Sequence, residues 1–184
     1  AKNEEQDWLK TNLAKFSRMM QGQKDLEAVS RLIMSELTPL VSAQHGAFFL
    51  VDAESTALDL TASYGYVPRG GRPTRFMRGE SLIGQVAVEK KTLLVTDVPP
   101  GYIEVGSGLG AAPPANLVIL PIVFQGETLG VIELGSFGEF TEVHLDLLDQ
   151  LKENIGVNLN TMLANARTDS LLVESQRLTE ELRA

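Results

Sequence analysis

The sequence predicts an α+β domain in which an antiparallel sheet is covered by helices. Apolar residues recur at helical spacing near both ends of the chain, and short strand-like segments separated by turn residues fill the middle. These segments follow one another directly or across a tight turn, as neighbours in an antiparallel sheet do. Helices before and after the sheet are expected to cover one of its faces.

The first helix is predicted over Glu4–Gln21. Its apolar residues follow the 4-3-4 spacing of a heptad seam and are Leu9, Leu13, Phe16 and Met20. Such a seam is typical of a dimeric coiled coil, although a helix packed on its own domain shows the same stripe. We predict a connector helix over residues 1–24 whose seam contacts a second copy of the chain.

A second helix, five strands and a short helix follow. The second helix, Asp25–Ala43, carries an apolar stripe broad enough to lie on a sheet. The predicted strands are Gly46–Val51, Leu58–Tyr64, Thr92–Val98, Leu117–Phe124 and Thr128–Ser136. The first is continuously apolar, the second alternates with period two, and Gly126 forms the turn between the last two. The short amphipathic helix, Glu80–Lys90, lies between the second and third strands.

Two long segments are predicted to be loops. Residues 65–79 carry an arginine at every third position, namely Arg69, Arg72, Arg75 and Arg78. Guanidinium groups suit an anionic ligand, and the alternative is a solvated loop with surface ion pairs. Residues 99–115 are rich in glycine and proline, and loops of this length are usually binding lids or mobile. Gly106–Gly110 lacks the lysine and the following helix of a phosphate-binding loop.

The last helix is predicted to begin after Thr141 and to run to the end of the chain. At a rise of about 1.5 Å per residue, it is longer than a body of this size can cover. The phase of its apolar pattern changes near Ala166, beyond which Leu171 and Leu178 lie seven residues apart. We predict that residues 161–184 project as a coiled-coil connector and that these leucines, with the N-terminal seam, form a parallel homodimer.

Composition excludes several classes of function. The 184 residues contain no cysteine, which excludes a disulfide framework, a Cys-ligated metal and a thioether-linked chromophore. The formal charge is −8, so we expect no nucleic-acid partner. No apolar run is long enough to span a bilayer, and no direct membrane contact is expected. Because the first residue is Ala1 rather than methionine, we expect the chain to be a fragment whose terminal helices continue beyond it.

Four motifs, in their order along the chain, resemble those of a GAF domain. They are Gly79–Ala87, Leu94–Pro99, Leu120–Ile122 leading to Gly126–Leu134, and Phe140–Glu142. The resemblance implies a PAS-related fold with a six-stranded antiparallel sheet, helices on one face and long N- and C-terminal helices. It assigns the GAF domain to residues 25–160, and it implies a pocket for a small-molecule ligand or signal, walled by the short helix and the long loop.

The flanking segments resemble bacterial hybrid sensor histidine kinases, in which a GAF domain follows a HAMP relay. These segments include Trp8–Leu13, Gln21–Gln23 and Gln44–Leu50. The resemblance implies signal relay in a two-component phosphorelay, in the cytoplasmic part of a membrane-anchored parent. The chain lacks a phosphoacceptor box and ATP-binding motifs, so it is not expected to be catalytic itself. The alternative is the effector domain of a transcriptional regulator or another GAF-containing signalling protein.

Departures from the family's motifs restrict the ligand without naming it. The absence of cysteine excludes a covalent bilin and the chemistry of the methionine-sulfoxide reductase branch. The cyclic-nucleotide motif is incomplete, and His45 is interpreted as a structural histidine rather than a heme ligand. No metal site is expected, and the cofactor is unknown. The polar candidates for the pocket, whose alternative role is to cap turns, are Tyr64, Arg75, Glu80, Gln85, Asp97 and Tyr102.

Overall fold

The computed structural model describes residues 2–66, 73–99, 101 and 104–183. The helices are α1 (Lys2–Met20), α2 (Leu26–Leu40), α3 (Ser81–Glu89) and α4 (Glu142–Arg183). The strands are β1 (His45–Val51), β2 (Leu58–Tyr64), β3 (Arg75–Phe76), β4 (Leu93–Thr96), β5 (Val105–Ser107), β6 (Gly110–Ala112), β7 (Asn116–Phe124) and β8 (Glu127–Ser136). Within these ranges, no helix is long and apolar enough to cross a membrane.

Six strands form one antiparallel sheet in the order β3-β2-β1-β8-β7-β4. The predicted α+β class and six-stranded sheet are therefore confirmed. The hairpin of β7 and β8 turns at Gly126, whose φ of +79° is the left-handed conformation that glycine adopts without strain. β8 then pairs with β1, so the two strands farthest apart in sequence lie side by side at the centre.

The two faces of the sheet have separate cores, because successive side chains of a strand point to opposite faces. On one face, Phe48, Ile132 and Leu134 pack against α1, α2 and α4. On the other face, Phe49 and Val131 pack against α3. Since both faces are covered, β1 is continuously apolar after its first residue, from Gly46 to Val51, as its sequence indicated. The long helices share one face as predicted, and α3 covers the opposite one.

The helices α1 and α4 run side by side in the same direction. Near their starts, the rings of Trp8 and His144 have centroids 5.9 Å apart. Farther along, Asn154 Nδ2 donates a hydrogen bond of 2.6 Å to Ser17 Oγ. The contacting residues advance in step along both helices, so α4 leaves the domain at the end opposite to the start of α1.

The apolar seam of α1 belongs to the core of its own chain, which corrects the prediction that it faces a second copy. Phe16 and Met20 are only 0% and 2% exposed and pack within the cluster that includes α2 and α4. Leu9 and Leu13 lie partly buried against the same cluster. A helix packed between two others needs the same 4-3-4 spacing as a coiled coil, so the spacing could not separate the two cases.

Three short strands lie in segments that were predicted to be loops. β3 adds two residues to the edge of the sheet beside β2, and β5 and β6 form a separate hairpin. A two-residue strand is too short to show alternation, and the hairpin consists largely of glycine and alanine. Neither carries the period-two apolar signal by which a strand is recognised in sequence.

The helix α4 packs on the domain only along its first half. Leu148, Ile155 and Met162 are among its buried residues, whereas every residue from Ala164 to Arg183 is exposed. This exposed half is about 30 Å long at the helical rise of 1.5 Å per residue. Gly156 permits the packed half to lie close to β7, because a Cβ there would stand 2.6 Å from the carbonyl oxygen of Val123.

Candidate functional site

A cavity of about 210 Å³ lies between the sheet and the first turn of α3, on the face opposite to the long helices. The strands β1, β7 and β8 form its floor, and α3 and the segment around β3 form its walls. The apolar side chains that line it are Ala47, Phe49, Pro73, Phe76, Leu82, Ile83 and Leu117. The polar side chains are His45, Tyr66, Ser81 and Glu133. The site therefore combines an apolar wall with a few polar groups, as small-molecule sites do.

The start of α3 positions one wall of the cavity. Glu80 is the N-cap residue, and the hydroxyl oxygen of Ser81 accepts a hydrogen bond from the amide of Ile83 at 3.2 Å. Gly84 lets this turn lie against the segment before it, because a Cβ there would collide with the backbone of Met77 and Gly79. The close approach directs the first turn of α3 toward the sheet.

Glu133 is the acidic group of the cavity. It lies in β8 directly opposite Ala47 of β1 and Ile119 of β7, and neither neighbour has a polar side chain. Among the described residues, it has no hydrogen-bond or ion-pair partner. Desolvation by burial therefore disfavours its charged form and raises its pKa to about 7. A carboxyl group that titrates near neutral pH inside a cavity marks a candidate functional site.

His45 lies on the same floor, diagonal to Glu133. It is the first residue of β1, pairs with Gly135 and is 6% exposed. Its ring packs edge-on against Tyr66, with ring centroids 4.8 Å apart and an interplanar angle of 75°. In the part of the chain that the structure describes, no group of three His, Asp or Glu side chains is arranged to hold a metal ion.

Arg75 does not reach the cavity, which corrects its prediction as a pocket residue. It lies on β3 and forms ion pairs of 3.2 Å with Asp52 and with Asp59 on the protein surface. The alternative interpretation of the arginine-rich segment, surface ion pairs in a solvated region, therefore describes Arg75 correctly. Arg69 and Arg72 lie outside the described residues.

Four of the other predicted pocket residues are described by the structure, and none of them lines the cavity. Glu80 occupies the N-cap position of α3, but its side chain makes no hydrogen bond to the helix and accepts one of 3.4 Å from the amide of Met77 instead. Gln85 Nε2 donates a hydrogen bond of 2.7 Å to Glu89 Oε1, one turn farther along α3. Tyr64 lines a shallow groove beside β5 and β6, and Asp97 is exposed in a turn. Tyr102 lies outside the described residues. The alternative role of these side chains, to cap or tie turns, fits Glu80, whose carboxylate bridges the turn before α3 through its hydrogen bond with Met77.

Glu133 was not among the predicted site residues, although the sequence contains a signal for it. Leu129–Leu134 is apolar or glycine except for this one carboxyl, and alternation puts it on the same face as Val131. A lone charged residue inside a strand buried on both faces is unusual unless it is paired or functional. Tyr66 and Ser81 carry no comparable signal, because they lie at the end of a loop and at a helix start.

Comparison with known families gives a match over most of the chain. The family model described as "GAF domain" matches residues 23–160. No curated protein matches the chain at a significant level.

Solved structures share the fold at low sequence identity. The GAF domain of a phosphoenolpyruvate-protein phosphotransferase from Coxiella burnetii has a TM-score of 0.70 and 21% identity, covering 86% of this chain and 96% of that one. Free methionine-R-sulfoxide reductase from Neisseria meningitidis has a TM-score of 0.67 and 21% identity, covering 83% and 89%. A methyl-accepting chemotaxis protein has a TM-score of 0.61 and 19% identity, covering 80% and 96%. Since the family model covers more than half of the sequence and the fold agrees with it, the chain belongs to the GAF domain family of sensory and signalling domains.

Proposed function

We propose that this GAF domain is the sensory and relay module of a hybrid histidine kinase, in the cytoplasmic part of a membrane-anchored protein. It works as a parallel homodimer, and the state of its cavity is transmitted through α4 to a kinase core. The observation that carries the proposal is the exposed second half of α4, which bears apolar side chains that the domain itself does not cover.

The exposed half of α4 has the pattern of a helix that pairs with another helix. Leu171, Leu178 and Leu182 follow 7- and 4-residue spacing along one side. Leu171 is 67% exposed and Leu178 is 48% exposed within the chain. A helix of this length gains little stability alone in water, and its apolar side gains more when a partner covers it. A second copy in the same direction supplies the identical stripe.

Two hydrogen bonds connect the far end of α3, and the residues that follow it, to the sheet and to α4. At the end of α3, the buried hydroxyl of Thr128 on β8 donates to the carbonyl oxygen of Ala87 at 2.7 Å. Just beyond α3, Lys152 Nζ on α4 donates to Thr92 Oγ1 at 3.2 Å. A ligand that displaces α3 therefore acts on both neighbours, which supports coupling between the cavity and α4.

The direction of the helices suits a linear relay. Since α1 and α4 are parallel, a displacement that arrives along α1 is passed on at the opposite end of the domain through α4. The assignment to a histidine kinase itself is supported by the resemblance of the flanking segments Trp8–Leu13 and Gln44–Leu50.

Single-cysteine crosslinking tests the dimer, because the natural chain has no cysteine. Leu171→Cys and Leu178→Cys are each expected to give a disulfide-linked dimer under mild oxidation. Val173→Cys is the matched control, since Val173 is as exposed as Leu171 (66%) but lies about 200° away around the helix at 100° per residue. Equal crosslinking at all three positions, or none at the two leucines, would contradict the parallel pairing.

A further inference from the structure

We propose that the cavity beside α3 binds a small organic ammonium ion with an apolar body, which Glu133 holds by a charge-assisted hydrogen bond. The inference rests on the proposed sensory function and names the class of ligand that the domain detects. It is carried by the geometry of the cavity and by the carboxyl group on its floor, which has no hydrogen-bond or ion-pair partner within the part of the chain that the structure describes.

The walls of the cavity suit a compact apolar body that carries a positive charge. Phe49 and Phe76 meet edge to face, with ring centroids 5.6 Å apart. Ile83 and Leu117 add aliphatic contacts. Aromatic faces attract cations through their negative quadrupole, and this attraction is stronger where water is excluded. The same walls therefore favour the apolar part of the ligand and tolerate its charge.

No side chain of the described residues gives Glu133 the partner that a buried carboxylate requires. A charge taken out of water is costly unless an opposite charge or several hydrogen-bond donors compensate it. The neighbours of Glu133 across both strands, Ala47 and Ile119, offer neither. A ligand ammonium group supplies the charge and up to three donors at once.

The charges around the cavity oppose an anionic ligand. None of the described lining residues is a lysine or an arginine. A ligand carboxylate or phosphate would lie near Glu133, and none of the lysine or arginine side chains that the structure describes lines the cavity to balance it. The potential at the floor of the cavity therefore selects for cations over anions of the same size.

Titration of Glu133 provides a second, independent readout. Of the lining residues that the structure describes, the other titratable ones are His45 from β1 and Tyr66. Leu117 of β7 and Ser81, Leu82 and Ile83 of α3 do not titrate. Burial places the pKa of Glu133 at about 7. An ammonium ligand needs the ionised form, so its affinity should rise about tenfold between pH 6 and pH 8 as the competent fraction grows. A carboxylate ligand would show the opposite trend.

Three probes that share one ring and differ in charge test the ligand class. Benzylamine, benzyl alcohol and benzoate are each titrated against the full chain, with the methyl groups of Ile83 and Leu117 followed by NMR. Benzylamine is expected to bind at least tenfold more tightly than benzoate and to shift both methyl groups. Benzoate binding as tightly as benzylamine, or no probe shifting these methyl groups, would overturn the proposal.

Variants assign the preference to Glu133. Glu133→Gln should weaken benzylamine binding at least tenfold at pH 8, change benzyl alcohol binding less than threefold and remove the pH dependence. Glu127→Gln is the matched control, since Glu127 is an exposed glutamate of the same strand, and it should leave all three affinities unchanged. His45→Asn should retain the pH dependence; if it alone abolishes that dependence, Glu133 is not the group that holds the ligand.

Failure of this proposal is distinguishable from failure of the proposed function. Crosslinking at Leu171 and Leu178 requires no ligand, so it reports on the relay alone. If α4 forms crosslinks but benzylamine shows no preference over benzoate, the ligand class is wrong and the relay stands.

Discussion

The two faces of the sheet differ in how completely helices fill them, although the same strands supply both. On one face, three long helices bury Phe48, Ile132 and Leu134 completely. On the other face, the nine residues of α3 leave a cavity with Glu133 on its floor. The packed face buries many more apolar side chains than the partly filled face, so we expect it to contribute most of the stability. Phe48 and Phe49 are adjacent in β1, and their side chains pack on opposite faces of the sheet.

The largest loss of stability is expected when one buried phenylalanine is removed from each face in turn. Phe48→Ala should lower the free energy of unfolding by about 3–5 kcal/mol, because it removes a fully buried ring and leaves a cavity. Phe49→Ala should cost less, since its ring already borders an open space. Urea denaturation of both variants measures the difference. Equal losses of unfolding free energy in the two variants would mean that the two faces contribute equally to stability.

A smaller effect is expected from the charge on the partly filled face. The pKa of Glu133 is about 7 in the folded chain against 4.5 for the ordinary side chain, so between these values the folded state binds more protons than the unfolded state. Stability therefore falls as the pH rises from about 4.5 to 7 and stays reduced above pH 7, by about 3 kcal/mol at 1.4 kcal/mol per pKa unit.

Glu133→Gln should remove this loss. Relative to the natural chain, its free energy of unfolding should increase by about 3 kcal/mol between pH 4 and pH 8, as followed by denaturation at several pH values. Glu127→Gln serves as the control on the same strand. A parallel pH dependence in the natural chain and in Glu133→Gln would show that Glu133 titrates normally.

The smallest effect is expected at the rim of the partly filled face. Arg75→Ala breaks two exposed ion pairs, with Asp52 and Asp59, and such pairs contribute about 0–1 kcal/mol each. We expect a shift of less than about 1 kcal/mol that vanishes in 1 M salt. Thermal unfolding at low and high salt measures it. A loss as large as that of Phe49→Ala would mean that β3 is essential to the fold.

Most of the fold could be predicted because its signals are local. Two apolar runs on either side of Gly126 predict the hairpin of β7 and β8. Thr141 as an N-cap and the long apolar pattern that follows it predict α4. Which helix covers the apolar seam of α1 could not be predicted. Phe16 has the same spacing from its apolar neighbours whether it packs against α4 or against a second chain. Only the tertiary structure, in which α4 lies beside α1, decides between these two alternatives.

The candidate site was less predictable than the fold, because it depends on strand order. The sequence predicts polar residues of loops, such as Arg75 and Asp97, as site residues, but the structure places both on the surface. Glu133 becomes a cavity residue only because β8 lies between β1 and β7 with α3 above that face. No pattern within β8 alone reveals which helix covers which of its faces.

Because α4 is one continuous helix over Glu142–Arg183, a tilt of its packed half also moves its exposed half. Its packed half is seated on the sheet as far as Met162, and the remaining length of about 30 Å moves with it. A tilt of about 5° at the seated half carries the tip about 2.6 Å sideways, which is comparable to the 2.3 Å radius of the helix backbone. A small tilt of the packed half is therefore magnified into a larger sideways displacement of the tip.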